Sequence, residues 1–573
     1  MSLSSQQELI VNSDSKVCLV IAGPGSGKTR VLTHKVARLI AGGADERSIM
    51  LLTFTNKAAR NMLERVHALT GREPLITGGT FHHVANIFLR THAESLGYRK
   101  NYSIIDEQDC HSFIKKIIRE DFQSHAKSLP KPQVVHKILS YCTNSMQDIP
   151  TYLKSSQRRY SGVSLLLSKI KDEYARRKLA SNIMDFDDLL VNFNRLLDDP
   201  GFRTMMRGRY TSILVDEFQD TNKLQFEIIR KLHAEGNLLF AVGDDCQSIY
   251  SFRAAEIGNM FRFAQVFMGT ETFYLTENYR STGEIVSLVN EIIKKNRKRF
   301  DKKLLPVSRG RSPLPKVSML ESVRSEARHI TGRVGEMLSS GVKPEDIAVL
   351  YRSNFQSPYL EVELSRRRIP YVKQGGLKFF EQAHVKDIIS FLKISANMTD
   401  PVAWERLLRL FGGVGPVTAG KIWNEISMHE RPLDHLLSLG CRGLPIVAHS
   451  VLAKATGGTH TANAKSFLKE FYGDYVRTEY PDSHDDRLDD IGQLIAMLSH
   501  YGTLDSFLED AMLDAGVMDG DCQKGRLTLS TIHQAKGLEW DNVFVMGLAE
   551  ERFPSRHALG NDERIEEERR LFY

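Results

Sequence analysis

The chain has no long hydrophobic run. No apolar stretch reaches the roughly 18–20 residues of a membrane-spanning helix. The N-terminus, Met1-Ser2-Leu3-Ser4-Ser5-Gln6-Gln7, lacks the basic region and apolar core of a secretory signal, so a cytoplasmic protein with no membrane partner is expected. Cysteine is sparse: Cys18, Cys110, Cys142, Cys246, Cys441 and Cys522 are scattered and form no C-x-x-C pair. That argues against a zinc ribbon, a four-cysteine iron–sulfur site and a disulfide framework, and leaves buried, reduced thiols. An excess of one charge is nearly lacking. The balance of 77 basic against 70 acidic residues gives +7, which points only weakly to a polyanionic partner. There is no short-period repeat and no low-complexity tract.

What is present is ordinary soluble composition, 26% charged and 42% apolar. At 573 residues the chain exceeds the roughly 250–300 that one core supports, so several domains are expected. Apolar, β-rich runs at 17–21, 49–54, 212–215, 238–242 and 273–275 alternate with helical patterns such as 57–67 and 223–232. This is α/β texture with a parallel sheet. A second series at 317–320, 347–351, 527–532 and 543–548 predicts a second α/β lobe. Residues 84–182 and 383–521 read helical and interrupt the lobes; within the first, Phe113, Ile114, Ile117 and Ile118 recur at helical spacing. The expected division is 1–83 and 183–277 for the first lobe, and 278–382 and 522–573 for the second. The basic stretch Lys294-Lys295-Asn296-Arg297-Lys298-Arg299-Phe300-Asp301-Lys302-Lys303 fits either a solvated face or contact with a nucleic-acid backbone.

Two motifs carry the chemistry. The first strand runs into Ala22-Gly23-Pro24-Gly25-Ser26-Gly27-Lys28-Thr29 and then a helix. Glycines let backbone N–H groups close around phosphates at a helix N-terminus, which favours anions. Lys28 pairs with the β/γ-phosphates in such a loop and Thr29 ligates Mg²⁺, which predicts a nucleoside triphosphate with Mg²⁺. The small Ala22 stands at the usual first glycine. The second motif is Val215-Asp216-Glu217-Phe218-Gln219-Asp220-Thr221-Asn222, after the apolar run 213–215. A carboxylate pair at a strand's C-terminal edge also suits a helix start. With a phosphate loop upstream, Asp216 is expected to hold Mg²⁺ through water and Glu217 to polarise the attacking water.

Beyond these, the acidic box resembles motif II of the UvrD/Rep/PcrA-like superfamily 1 DNA helicases. Val242-Gly243-Asp244-Asp245-Cys246-Gln247-Ser248-Ile249-Tyr250-Ser251-Phe252-Arg253-Ala254-Ala255 resembles their motif III, and the similarity covers nearly the whole chain. It implies two RecA-like P-loop NTPase lobes, each interrupted by a mainly helical insertion, with ATP as the nucleotide. Leu3-Ser4-Ser5-Gln6-Gln7 resembles the Q motif, with Gln7 on the adenine edge and Gln6 as the alternative; Arg30 would lie against the adenine. Thr53-Phe54-Thr55-Asn56-Lys57-Ala58-Ala59 and Gly79-Thr80-Phe81-His82 resemble motifs Ia and Ib, which implies single-stranded DNA contacts at Phe54, Asn56, Thr80 and His82. Asp185-Phe186-Asp187-Asp188-Leu189-Leu190 matches a further signature and is assigned no chemistry. In motif III, Gln247 would sense the γ-phosphate, Tyr250 and Phe252 would stack on bases, and Arg253 would meet DNA.

Leu275-Thr276-Glu277-Asn278-Tyr279-Arg280-Ser281-Thr282 resembles motif IV, with Tyr279 on adenine and Arg280 as an arginine finger from the second lobe. Asn354, in Tyr351-Arg352-Ser353-Asn354, is a candidate DNA contact. Gly375-Gly376-Leu377-Lys378-Phe379-Phe380-Glu381 and Val385-Lys386-Asp387 match the start of the second insertion. Phe411-Gly412-Gly413-Val414-Gly415-Pro416-Val417-Thr418 reads as a helix–helix turn whose amides suit a duplex phosphate. Leu529-Ser530-Thr531-Ile532-His533-Gln534-Ala535-Lys536-Gly537-Leu538-Glu539-Trp540 resembles motif V, with His533 toward DNA and Glu539 toward the nucleotide.

The final run Glu566-Glu567-Glu568-Arg569-Arg570-Leu571-Phe572-Tyr573 opens motif VI in the resembling family, where a second catalytic arginine follows. The expectation from this is a fragment with weakened hydrolysis. The leading reading is an ATP-dependent 3′→5′ helicase and translocase on single-stranded and duplex DNA, in repair or recombination. Alternatives are the motor part of a helicase–nuclease, or an ATP-binding DNA module that does not hydrolyse.

Overall fold

The structure is a computed structural model. It describes residues 3–573 except 308–311, 354, 355, 358, 359, 361, 362, 365, 366, 375–381, 441–443, 445, 446, 454, 456, 457, 481–483, 500 and 514–524. Asn354 and the stretch 375–381 therefore lie outside the described residues. The chain divides into two compact units. One comprises Met1–Thr80, Arg203–Gly376 and Val517–Tyr573; the other comprises Phe81–Phe202 and Leu377–Gly516.

The first unit holds two large sheets and a two-stranded pair, Glu277–Asn278 with Leu305–Pro306. Strands β1 (Val17–Ala22), β2 (Ile49–Thr53), β3 (Thr77–Thr80), β4 (Ser212–Val215), β5 (Leu238–Gly243) and β6 (Thr270–Leu275) form a six-stranded sheet in the order β3-β2-β4-β5-β1-β6. Every pairing is parallel. Strands β1, β2, β4 and β5 are buried along their whole length, which is why they read as unbroken apolar runs. The helices α1 (Ser5–Asn12), α2 (Lys28–Ala41) and α3 (Asn56–Thr70) give Ile10, Val31, Leu32, Met62 and Val66 to the core on this sheet.

The second sheet is β7 (Ile347–Tyr351), β8 (Tyr371–Gln374), β9 (Leu527–Thr531) and β10 (Asn542–Val545), in the order β8-β9-β7-β10 and again parallel. Its core includes Ile330, Val334, Val349, Leu527 and Leu529. One expected strand is absent. Residues 317–320 pair with nothing among the described residues, and Val317 and Met319 are 86% and 95% exposed. Pro313 and Pro315 precede the run, and apolar content alone does not make a strand without a neighbour to pair with. The strand that forms instead, β8, carries only two apolar residues and gains its place by pairing with β9.

The second unit is mainly helical. The helix Glu107–Asp121 buries Phe113, Ile114, Ile117 and Ile118, and shares its core with Ile138, Leu139, Leu167 and, from the later segment, Val402. The helix Phe186–Leu196 belongs here too, with Phe193 stacked on Phe88 at 5.7 Å. Asp185 caps that helix in a reciprocal capping box with Asp188, and both carboxylates hold the buried Lys178 ammonium at 2.5 and 2.6 Å. The two segments of the unit are also joined by Lys386–Asp106 (2.8 Å) and Lys393–Asp109 (3.4 Å). Asp387 accepts from Arg406 at 2.6 Å and from the Tyr472 hydroxyl, while the buried His384 meets Arg487 at 2.7 Å. Among the described residues no helix is long and apolar enough to cross a membrane.

Candidate nucleotide and nucleic-acid site

Parallel strands align the chemistry along one sheet edge. The phosphate loop follows β1, the acidic box follows β4, and the Asp244–Gln247 turn follows β5. Register fixes their depth: Ile21 lies opposite Gly243, and Val215 opposite Ala241. Ligands of open α/β sheets bind beyond the carboxyl ends of the strands.

The loop is closed from several sides. Gly25 and Gly27 have φ of 63° and 87°, which glycine adopts without strain. A Cβ on Gly25 would lie 2.6 Å from Arg280 Cβ, and one on Gly27 would lie 2.7 Å from Gln7 Nε2. The Ser26 hydroxyl donates to Gly23 O at 2.7 Å. Ala22 is fully buried at the end of β1, and Pro24 O accepts from Asn278 Nδ2 at 2.7 Å. Gly27 caps α2, whose first turn holds Lys28, Thr29 and Arg30 with their amides toward the loop. Of the two glutamines, Gln7 is buried and donates to Ser26 O at 3.0 Å, and its Oε1 accepts from Ser4 N. Gln6 exchanges two hydrogen bonds with Thr276.

The acidic box divides its labour. Burial, and then the adjacent Glu217 charge, push the Asp216 carboxyl up to about 7. Glu217 is as deeply buried, yet Lys28 and then Lys536 hold it below the usual range, so it stays ionised. Its backbone sits at φ 49°, a conformation non-glycine residues seldom adopt, and Gln219 Nε2 donates to it at 2.5 Å. Asp216 Oδ1 is buried without a hydrogen-bond partner. An orphaned carboxylate oxygen and the Thr29 hydroxyl are a hard-oxygen donor set that fits a divalent cation. Lys28 Nζ donates to Gln247 Oε1 at 3.3 Å, so the loop lysine and the candidate γ-phosphate sensor already touch.

Two residues with no role assigned from their motifs organise the rest. Asn278 anchors to Pro24 O through its Nδ2, while its Oδ1 accepts from Arg280 N (3.1 Å) and Ser281 N (2.7 Å). Tyr279 N donates to Gly25 O at 2.9 Å, and its half-exposed ring is oriented by a 2.7 Å hydrogen bond to Glu277. Arg280 pairs with Glu539 at 2.5 Å. Lys536 is the second: its ammonium pairs with Asp220, donates to Gln247 O at 2.8 Å and lies 4.8 Å from the Tyr250 ring centroid. Both residues sit inside motifs that the sequence displays.

Beside this centre lies an aromatic strip. Phe54 stacks on Tyr250 at 5.1 Å, Phe252 meets His533 edge-on at 5.5 Å, and the Arg253 guanidinium lies 5.7 Å from both the Tyr250 and Phe252 rings. Tyr250 is largely enclosed and donates to His533 O at 3.1 Å, whereas Phe252 is 60% exposed. Burial, followed by Arg352, pushes His533 down to about 4, so it is neutral at pH 7. Asn56 begins α3 and Thr80 ends β3 in the first unit; His82, in the helical unit, meets Phe186 edge-on. Arg570 Nε donates to Ser248 O at 3.1 Å, and Glu567 accepts from the Ser251 hydroxyl at 2.5 Å, so the helix Asp562–Phe572 steadies the motif III loop.

The basic stretch is partly structural. Lys302 is buried between Asp244 (2.7 Å) and Asp245, and Phe300 N donates to Asp245 at 2.9 Å. Burial opposes the Lys302 charge, but the two aspartates outweigh it and raise its pKa. Lys298 pairs with Glu563 at 2.5 Å, and the exposed Lys294 lies 3.8 Å from Glu291. In the helical unit, Gly412, Gly413 and Gly415 border open space before the helix Pro416–Ile426, and Gly413 has φ 83°.

This is a P-loop nucleotide site to which both large sheets of one unit contribute, joined through Lys536 to an aromatic strip. The chain matches the UvrD/REP helicase N-terminal domain over residues 3–268 and the UvrD-like helicase C-terminal domain over 273–434 and 458–573. It is 32% identical to the ATP-dependent DNA helicase PcrA of Staphylococcus epidermidis, an alignment that spans all of this chain and 81% of that protein. Identity to DNA helicase II of Escherichia coli is also 32%, over all of this chain and 82% of that protein. Identity to PcrA of Staphylococcus aureus is 31%, over all of this chain and 81% of that protein. The chain belongs to the UvrD-like helicase family.

Proposed function

We propose that the chain is an ATP-dependent DNA helicase that translocates 3′→5′ on single-stranded DNA, unwinds duplex ahead of it, and serves DNA repair or recombination. The observation that carries the reading is Lys536. One ammonium joins Asp220 of the acidic box, Gln247 beside Lys28, and Tyr250 of the aromatic strip. Support also comes from relatives named ATP-dependent DNA helicase and DNA helicase II.

The phosphates of ATP would lie on the amides of Gly23–Lys28, with Lys28 on the β/γ-oxygens and Tyr279 and Arg30 against the base. Thr29 and Asp216 would hold Mg²⁺, which supplies charge screening for the phosphates. Glu217, held ionised, orients the attacking water and takes its proton. Gln247 senses the γ-phosphate. Arg280 would leave Glu539 for the phosphoryl group and neutralise charge as it transfers. A bound γ-phosphate would draw Lys28 and Gln247 off each other, its loss would restore their contact, and motif III would carry that change to Tyr250 and Phe252, where bases stack without regard to sequence. Phe54, Asn56, Thr80, Arg253 and His533 would line the strand's path on the first unit.

ATP hydrolysis by the 573-residue chain with and without single-stranded DNA tests the reading. Stimulation by DNA is expected, and Glu217→Gln should lower the rate by about 10²–10⁴-fold while nucleotide still binds. Partial duplexes with a 3′ or a 5′ tail test polarity, and equal unwinding of both would overturn the 3′→5′ assignment. Nucleotide binding without turnover in either condition would favour an ATP-binding DNA module instead.

A further inference from the structure

The helical unit carries a cluster of ligand-type side chains that the motor chemistry does not use. Glu107 and His111 stand four residues apart on the helix Glu107–Asp121 and so share a face. His136 comes from the helix Pro132–Ser145. The two imidazoles meet edge to face with centroids 5.2 Å apart. His111 Nε2 lies 3.6 Å from a Glu107 carboxylate oxygen. A ligand atom from each of the three residues lies within 4.8 Å of the others. His111 Nε2 is buried and has no hydrogen-bond partner, a rare condition for a polar atom.

We propose that Glu107, His111 and His136 form a binding site for a divalent transition-metal ion of the zinc class, through two imidazole nitrogens and one carboxylate oxygen. This nitrogen–oxygen set suits zinc, with water in the fourth position. Bonds of roughly 2.0–2.2 Å put tetrahedral donors about 3.4 Å apart. The wider spacing here closes by rotation of Glu107, whose side chain is 63% exposed. Burial pushes both histidines below their ordinary pKa, toward the neutral form that binds metal.

Cys110 and Asp185 also approach His136, but they belong to a different arrangement. Asp185 is taken by Lys178 at 2.5 Å and the Tyr174 hydroxyl at 2.9 Å, and that ammonium would repel a cation. Burial keeps the Cys110 thiol protonated. A metal on the other three residues would staple together two helices whose inner faces, Ile114, Ile117, Ile138 and Leu139, build the core of the unit.

The test is zinc titration calorimetry on the full chain after chelator dialysis, with the cobalt(II) absorption spectrum as a donor readout. One tight equivalent of zinc is expected, with affinity at least about tenfold weaker in His111→Ala and His136→Ala. The cobalt adduct should show no thiolate-to-metal charge-transfer band. Should a histidine variant fail to fold by circular dichroism, Glu107→Gln at its exposed position keeps the test, and it too should weaken binding. No tight equivalent, or one unaffected by Glu107→Gln and His111→Ala, would overturn the site. A thiolate band would overturn the donor set in favour of Cys110.

Discussion

Asp216 and Glu217 are neighbours in the chain yet lean in opposite directions toward a proton, because Lys28 and Lys536 favour the second carboxylate while the first is left with burial and a like charge beside it. The same competition of burial and neighbours governs His533, whose pKa falls from 6.5 in the unfolded chain to about 4. Between those values the unfolded chain binds more protons than the folded one, so stability falls as pH drops through the window and is complete above it. From pH 7 to pH 5 this one residue should remove about 2 kcal/mol. Thermal melts across that range should show a shallower acid loss in His533→Asn than in the parent. Equal slopes would place the acid sensitivity elsewhere. Such side-chain roles were only half legible in the sequence. Phe252 and Arg280 stand out by type within their motifs. Asn278 and Lys536 do not, because the groups they bind lie 254 and 316 residues away in the chain.

At the scale of elements, legibility followed burial. Strands β1, β2, β4 and β5 are enclosed on both faces and leave continuous apolar runs in the sequence. Edge strand β3, Thr77-Gly78-Gly79-Thr80, owes its conformation to pairing with β2 and has no such run. The same holds for β8, while the exposed 317–320 stretch shows the reverse error. The basic stretch misleads for a related reason: a row of cations resembles a solvated or nucleic-acid-binding face until one of them, Lys302, is found buried against two aspartates. Lys302→Met would strand those carboxylates at the foot of motif III. Removing one partner of a buried ion pair costs about 3–5 kcal/mol. The thermal midpoint should fall measurably, and Lys294→Met, at an exposed position, should not lower it. Equal effects would show that Lys302 does not anchor the segment.

For the molecule as a whole, the question is how hydrolysis and strand movement are made one event. The phosphate loop and acidic box belong to the six-stranded sheet, whereas Lys536 and Glu539 follow a strand of the four-stranded sheet. Lys536 therefore ties the second sheet's segment to Asp220 and to the Gln247 carbonyl, three residues from Tyr250. If this ammonium carries the coupling, Lys536→Met should retain nucleotide binding, which rests on the loop, and lose most of the stimulation by single-stranded DNA. A buried carboxylate left without its cation would add a stability cost, so Lys536→Arg serves as the companion variant: it keeps the charge and should restore part of the stimulation. The measurement is the ratio of ATP turnover with saturating DNA to turnover without it. A ratio unchanged in Lys536→Met would mean that DNA signals through another route, with Arg280 and its Glu539 partner as the next contact to break.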